Sequence, residues 1–291
     1  MNYILSANDL KNTSAVLRVR GPDANSYLQG QFTQDLKRAK TGPCYGLWLD
    51  QKGKVLADSY IQQLAENDYM VIALTTSASP LLARLEAYLI ADEVELHDES
   101  GEWASVLVWG DAVPATLTLP TGAIQFASRR AGAGAQEILV NAGHAAELVA
   151  QIREFAADGD AVAAELARLR QGVPSVPADI GPRDLPNEGG LDEVAISYTK
   201  GCYLGQEVMA RLKNLGQVRR CLHLVQGEGA PPAPGTPLYQ GERKAGEMRS
   251  AAIDGGGFLG MAMLSLVNLA EDLPLNTEPD GGKPIRIVRR V

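Results

Sequence analysis

The most constraining feature of this chain is the octapeptide Lys-Gly-Cys-Tyr-Leu-Gly-Gln-Glu at residues 200–207, which we call the thiol loop. The preceding residues 195–199 are typical of a strand, and from Gln206 onward apolar residues recur at helical spacing. The thiol of Cys202 is therefore expected just ahead of a helix N-terminus and two residues from the Lys200 ammonium. Because a helix dipole and a nearby cation both favour thiolate over thiol, the pattern predicts a reactive cysteine with a depressed pKa.

Each residue of the thiol loop also has a plainer explanation. Free cysteine is often a small buried hydrophobe, and Lys200 alone would be an ordinary turn lysine. Gly201 and Gly205 are expected to supply close backbone approach or a positive φ. Glu207 in the first helical turn complements the helix dipole, and contact with the amino-pyrimidine donors of a ligand is the alternative.

Charge and composition restrict the class of protein. The 291 residues are enough for two or three domains, and charged and apolar fractions of 21% and 45% are ordinary for a soluble globular protein. A net charge of -8 argues against general nucleic-acid binding. No apolar run approaches the ~18 residues of a membrane span, and no secretory signal is visible. The three unpaired cysteines suit a reducing cytoplasm, and with three scattered histidines they predict no metal site.

The texture of the chain changes after Gly216. Before it, strands alternate with helices, and residues 50–53 form the turn of a predicted hairpin. Residues 172–194 are rich in Pro, Gly and Asp and are expected to form a long, irregular loop. After Gly216, short strands alternate with Gly/Pro-rich turns, which is typical of a small β-barrel or sandwich. We therefore expect one α+β region over residues 1–216 and a β domain over residues 217–291.

The thiol loop and its continuation to Arg211 resemble the YgfZ family. This family is a branch of the superfamily that contains the glycine-cleavage T-protein, a folate-dependent aminomethyltransferase. The resemblance covers nearly the whole chain, because residues 19–35, the hairpin around residues 46–54 and residues 234–250 match the family as well. It implies an α+β, T-protein-like fold, with two interleaved subdomains around a central hole and a C-terminal β-barrel.

The resemblance also implies a ligand and a role. Tetrahydrofolate or a derivative would bind non-covalently in the hole, and the protein would assist iron–sulfur cluster assembly or repair, and so tRNA modification indirectly. Cys202 and Lys200 would carry the chemistry, with the folate placing a reactive group near the thiolate. The implied partners are folate and iron–sulfur assembly or client proteins, with no membrane. The implied folate contacts are Asp58, Gly201, Tyr203, Gly205, Gln206, Glu207 and Arg211.

Departures from the T-protein pattern imply that aminomethyl transfer is lost. Where the T-protein has a pterin-reading glutamate, this chain has Arg170, and of an Asp-Asp pair only Asp58 survives, after Ala57. A single carboxylate without an acid–base partner does not indicate an enzyme. Two alternatives stay open: a true aminomethyltransferase acting on a lipoyl-bearing partner, and a non-catalytic folate-binding or storage module in which Cys202 is structural.

A basic cluster follows the thiol loop in this acidic chain, formed by Arg211, Lys213, Arg219 and Arg220. A solvated helix face explains many such clusters. The functional alternatives are a landing site for an anionic glutamyl tail and direct binding of tRNA. The net charge favours the tail over RNA.

The reactive-thiol hypothesis gives a prediction for alkylation kinetics. Cys202 should react with iodoacetamide faster than Cys44 or Cys221 between about pH 6 and 9, because only the thiolate is nucleophilic. Peptide mapping by mass spectrometry at timed intervals measures the three rates separately. Comparable rates for all three cysteines would contradict the hypothesis.

Overall fold

The chain folds as a mixed α+β protein, as the sequence predicts, and its described residues form three five-stranded sheets. None of the helices within the described ranges is both long and apolar enough to cross a bilayer. The computed structural model describes residues 1–5, 14–111, 117–267, 269–270, 272–279 and 281–291.

The first two strands of the chain belong to different sheets. Strand β1 (Asn2–Leu5) joins the second sheet, whereas the first sheet is wholly antiparallel and has the spatial order β3-β4-β5-β2-β6. Helices α1 (Ala24–Gln31) and α2 (Ala78–Glu86) contribute buried leucines to the core of this sheet. The strands of the first sheet are β2 (Ala15–Arg20), β3 (Cys44–Leu49), β4 (Val55–Ala65), β5 (Asp68–Ala73) and β6 (Glu95–Asp98).

The second sheet has the order β10-β1-β7-β9-β8, with β1 and β10 parallel. Because β1 precedes the first sheet in the chain and lies in the second, the two subdomains are interleaved. Helix α3 (Ala145–Ile152) buries Leu148 and Ile152 in the core of the second sheet. The remaining elements are β7 (Trp103–Trp109), β8 (Ile124–Ala127), β9 (Gln136–Asn141), β10 (Ala156–Asp158) and α4 (Ala161–Gln171).

The connection after α4 differs from the prediction. Instead of an irregular loop over residues 172–194, it contains a 3-10 turn at Pro186–Gly189 and helix α5 (Leu191–Ala195). The predicted strand over residues 195–199 is wrong. The end of α5 packs into a core shared with β3 and β4, and within the described residues an isolated bond from Ser197 N–H to the Thr33 carbonyl is what resembles sheet pairing.

The C-terminal part begins with helix α6 (Gln206–Leu215), which starts where the sequence predicts. It continues into an antiparallel sheet of order β12-β13-β14-β11-β15. In the described residues the edge strands are not paired with each other; Leu275 and Asn276 make one isolated bridge to each edge, so the barrel is incompletely closed. The strands are β11 (Arg220–Glu228), β12 (Pro237–Gln240), β13 (Arg243–Asp254), β14 (Gly257–Ser265) and β15 (Ile285–Arg290).

A buried ion pair fastens α4, the connection and the C-terminal sheet to one another. The Arg168 guanidinium on α4 donates to the Asp179 carboxylate at 2.7 Å and to the Ser250 hydroxyl on β13 at 3.0 Å. Ser250 donates in turn to the other oxygen of Asp179. The side chains of Arg168 and Asp179 are 3% and 0% exposed, so neither charge has water as an alternative partner.

Replacing Asp179 by Asn should therefore destabilise the protein strongly. Asp179→Asn leaves the buried Arg168 with Glu165 as its remaining carboxylate partner, so it should lower the free energy of unfolding by about 1.5–3 kcal/mol, the range for a lost hydrogen bond to a charged group. Denaturant titration followed by circular dichroism measures the change. The matched control is Asp158→Asn, which breaks an exposed pair with Arg153 and should cost less than about 1 kcal/mol. Equal effects of the two substitutions would contradict this role for Asp179.

Candidate functional site

Lys200 anchors the thiol loop to the end of α1. Its ammonium donates to the main-chain carbonyls of Gln29 at 2.7 Å, Phe32 at 2.5 Å and Gln34 at 3.1 Å. The last carbonyls of a helix have no partner within the helix, so the ammonium satisfies groups that would otherwise be buried and unbonded. Burial lowers the pKa of Lys200 to about 8, which still leaves the side chain mostly protonated at neutral pH.

The other end of the loop rests on the hairpin turn at residues 50–53. Leu204 donates its N–H to the Gly30 carbonyl at 3.1 Å, and Gly205 precedes α6 with φ of 86°. A Cβ atom on Gly205 would lie 2.8 Å from the Asp50 carbonyl oxygen. Only glycine accepts both the backbone conformation and this close approach. Three motifs that are far apart in the sequence therefore meet at one place.

Cys202 lies at the exposed tip between the two anchors. Gly201 and Cys202 are exposed, whereas Lys200 and Tyr203 on either side are buried. The Gln206 side-chain oxygen accepts the Tyr203 N–H at 3.3 Å and so fixes the start of α6. Among the described residues no hydrogen bond reaches the Cys202 sulfur, which is free to meet a partner from solution.

This geometry differs from the predicted activation of the thiol. All three ammonium hydrogens of Lys200 point to carbonyl oxygens, and no bond joins Lys200 to Cys202. The structure assigns Lys200 to holding the loop. Of the two glycines expected to supply close backbone approach or a positive φ, Gly205 does both, whereas Gly201 has no positive φ and a Cβ on it would meet open space.

The other two cysteines lie in the interior. Burial raises the pKa of the Cys44 thiol to about 11. Burial also raises the pKa of Cys221, and the Arg290 guanidinium beside it opposes that shift. Cys202 is the one exposed thiol in a chain with three cysteines.

A second polar site surrounds Asp58 on β4. The Tyr45 hydroxyl donates to one carboxylate oxygen at 2.9 Å, and the Thr75 hydroxyl donates to the other at 3.1 Å. Burial raises the pKa of Asp58, and these two hydrogen bonds and the Arg129 charge oppose the rise. The Arg129 guanidinium stacks over the Tyr45 ring at 4.9 Å, and its buried Nε has no hydrogen-bond partner among the described residues.

Asp58 opens onto a small hollow where three parts of the chain meet. Its walls are β4 with Leu74 and Thr75 just after β5, the pair Arg129 and Arg130, and Arg168 of α4 with the segment Pro174–Val176 that follows it. The enclosed volume is about 30 Å³, which accommodates one or two water molecules. The hollow is therefore polar and central, but narrow.

The thiol loop packs against the turn of the β3–β4 hairpin, whereas Asp58 lies further along β4, opposite Leu47. Gly53 packs beside the thiol loop, and the step from Gly53 to Asp58 spans up to roughly 17 Å of extended chain. Cys202 does not line the hollow. A single folate that contacts Asp58 would therefore have to extend out of the hollow to approach the thiol, and the hypothesis that it does so stays a prediction. The predicted folate contacts that lie at the thiol end are Gly201, Tyr203, Gly205, Gln206, Glu207 and Arg211.

The predicted basic cluster is divided in the structure. Arg220 donates to Glu188 at 2.8 Å and Asp184 at 2.9 Å, so its charge is neutralised locally. The Lys213 ammonium lies over the Tyr198 ring at 3.8 Å. Arg211, Lys213 and Arg219 remain exposed, so Arg220 is the member of the cluster whose charge is withdrawn.

Sequence reasoning found Asp58 but not the residues that hold it. Tyr45 is diagonal to Asp58 across the hairpin, because Leu47 pairs with Asp58 and Tyr45 pairs with Tyr60. The predicted turn at residues 50–53 sets this register, and diagonal neighbours are within reach of an aromatic side chain. For Arg129, no local pattern in the sequence gives a signal.

Comparisons with known proteins agree with this architecture. Residues 8–130 match the GCVT N-terminal domain, and residues 219–289 match the CAF17 C-terminal beta-barrel domain. The crystal structure of aminomethyltransferase T of the glycine cleavage system from Bartonella henselae covers 99% of this chain and 85% of its own, with a TM-score of 0.81 and 19% identity. At that identity the likeness shows the fold alone.

Two curated relatives align over most of the chain. The tRNA-modifying protein YgfZ of Vibrio vulnificus is 28% identical over 259 residues, which is 84% of this chain and 78% of the relative. The iron-sulfur cluster assembly factor IBA57 of Homo sapiens is 29% identical over 276 residues, which is 86% of this chain and 74% of the relative. With both domains matched in order and relatives of these names aligned over most of the chain, the resemblance to the YgfZ family of the glycine-cleavage T-protein superfamily is confirmed.

Proposed function

We propose that this protein is a cytoplasmic folate-binding accessory factor in iron–sulfur cluster assembly or repair, and that it supports tRNA modification indirectly. The observation that carries the proposal is the thiol loop, in which buried anchors lift a single cysteine into solvent. The stability of the fold does not explain why three separate motifs together expose one thiol.

The chemistry of the thiol and the names of the relatives support an iron–sulfur role. Thiolates are the usual protein ligands of iron–sulfur clusters, which as a rule need four ligands. No group of three or more His, Cys, Asp or Glu side chains within the described ranges is arranged to hold a metal ion. One exposed thiol supplies one ligand at most, so Cys202 would act together with groups on a partner protein.

The hollow at Asp58 suits a pterin by its chemistry but not by its present size. A carboxylate accepts hydrogen bonds from ring N–H groups, Tyr60 is an aromatic residue in the wall, and the Nε of Arg129 has no hydrogen-bond partner among the described residues. A volume of about 30 Å³ cannot hold a bicyclic ring. Binding would have to move the Pro174–Val176 wall away from the sheet, and the pterin would then sit apart from Cys202.

The surroundings of the hollow disfavour aminomethyl transfer. Arg170, which replaces the pterin-reading glutamate of the T-protein pattern, is exposed and donates to Asp254 at 2.8 Å. It supplies no carboxylate to the hollow. Asp58 is the one carboxylate among the residues that line it, so a general acid–base pair is not assembled there.

Asp58→Asn should weaken folate binding without destabilising the fold. Burial raises the pKa of Asp58, so the folded state takes up its proton more readily than the unfolded chain does. Asp58 therefore contributes to the stability of the folded state at low pH, and this contribution is lost as the pH rises. At neutral pH the ionised Asp58 carboxylate destabilises the fold. The variant should unfold at the same denaturant concentration or higher, while its affinity for tetrahydrofolate falls about tenfold or more.

Isothermal titration with tetrahydrofolate and urea unfolding measure the two effects of Asp58→Asn. Wild-type binding should also weaken on acidification at a higher pH than for an ordinary aspartate, because its carboxylate protonates earlier. The exposed Asp158→Asn variant is the control for affinity. Unchanged affinity in Asp58→Asn would exclude the hollow as the folate site.

Cys202→Ala and Cys202→Ser should abolish function in cells while leaving the fold intact, because the side chain is exposed and has no hydrogen-bond partner. The measurement is iron–sulfur enzyme activity in a strain that lacks the gene and carries each variant. Cys44→Ala, which removes a buried thiol, serves as the control and should rescue activity. Full rescue by Cys202→Ala would instead favour the non-catalytic folate-binding module.

A further inference from the structure

Exposed cations surround the thiol loop on the side of α1. The 3-10 turn Leu36–Lys40 follows α1 and presents Lys37, Arg38 and Lys40 to solvent. It lies next to the anchor of the loop, because the Lys200 ammonium donates to the Gln34 carbonyl two residues before the turn.

Lys52 adds a fourth exposed cation on the hairpin turn, which contacts Gly205 of the thiol loop. The aspartate side chains of these segments accept hydrogen bonds from main-chain N–H groups. Asp35 accepts the Lys37 N–H at 3.1 Å, and one oxygen of Asp50 accepts the N–H groups of Lys52 at 2.8 Å and Lys54 at 2.7 Å. The acids thus form turn caps, and none of the exposed cations has an ion-pair partner among the described residues.

Arg84 is a further cation without a carboxylate partner in the described part of the chain. Its guanidinium lies between the Trp48 and Tyr88 rings, at 5.1 and 5.4 Å, and donates to the Gln31 side chain and the Leu49 carbonyl. Gln31 follows Gly30, which accepts the Leu204 N–H, and the Leu49 Cβ is against Gly205. Arg84 therefore lies in the seam between the two elements that hold the thiol loop.

We call Lys37, Arg38, Lys40, Lys52 and Arg84 the basic rim. Residues 29–54 hold five Lys or Arg and two Asp, a net charge of +3, whereas the whole chain has -8. The residues outside this range therefore carry a net charge of -11. Opposite charges kept apart on one surface orient an approaching protein and raise its association rate.

We propose that the basic rim docks an acidic face of a partner protein and so brings a reactive group of that partner to Cys202. The inference rests on the proposed function and names the kind of surface with which the thiol works. The charge distribution favours a protein over RNA as the partner. A long RNA would extend beyond the basic rim onto the rest of the chain, whose net charge is -11, whereas a compact acidic face of a protein need not.

Thiol–disulfide exchange tests the local field at Cys202. Its thiolate attacks one sulfur of an aromatic disulfide, 5,5′-dithiobis(2-nitrobenzoate), forms a mixed disulfide and releases one thiolate of the reagent. The rate with this dianionic reagent, divided by the rate with dicationic cystamine, should fall about threefold or more in Lys37→Gln/Arg38→Gln/Lys52→Gln. The wild-type ratio should also fall in about 0.5 M salt, where the Debye length is about 4 Å.

A variant with the same change in charge is the control. Lys244→Gln/Lys283→Gln/Arg286→Gln neutralises three exposed cations of the C-terminal domain and should leave the ratio unchanged. Cys202→Ala provides the background rate. A ratio that is equal in the rim variant and the wild type would overturn the proposal, whatever the outcome of the complementation experiment, so the two failures are distinguishable.

Protection from iodoacetamide identifies the class of partner. A 16-residue glutamate-rich peptide should slow alkylation of Cys202 in the wild type and not in the rim variant. A single-stranded 16-nucleotide RNA should protect only at higher concentration. Protection by the RNA at the lower concentration would replace the acidic protein by a nucleic acid, and absence of protection by both would overturn docking at the rim.

Discussion

The Lys200 ammonium is the interaction on which the presentation of Cys202 depends. It joins three carbonyls at the end of α1 to the base of the thiol loop, and the pieces so connected are more than 160 residues apart in the chain. A buried cation is tolerated there because the carbonyl dipoles replace its hydration. With the base of the loop held in this way, and Gly205 seated on the hairpin turn, the tip at Cys202 has to project into solvent.

The β3–β4 hairpin separates two kinds of chemistry. Its turn supports the thiol loop, and strand β4 carries Asp58 and Tyr60 to the hollow between the subdomains. In this account the hollow recognises a small molecule and the thiol meets a protein, with the hairpin as the rigid spacer between them. Folate would then act on the protein's conformation rather than on the thiol directly, since the Pro174–Val176 wall has to move for a ligand to enter.

Much of this architecture is readable from local patterns, and the rest depends on contacts that no local pattern encodes. The start of α6 at Gln206 follows from apolar spacing, and Gly205 from its need for positive φ. Residues 195–199 resemble a strand by composition, yet packing of α5 against a core overrides that preference. Proximity in sequence suggested that Lys200 activates Cys202, but the carbonyls of α1 compete for its hydrogens. Arg129 reaches the hollow from another sheet, which sequence spacing cannot show.

A structure determined with a bound reduced folate would test the central claim most directly. The account predicts that the pterin ring lies against Asp58 and Tyr60, that Pro174–Val176 has moved outward, and that Cys202 remains exposed beside the hairpin turn. A pterin found against the Cys202 sulfur, with the Asp58 hollow still closed, would contradict it.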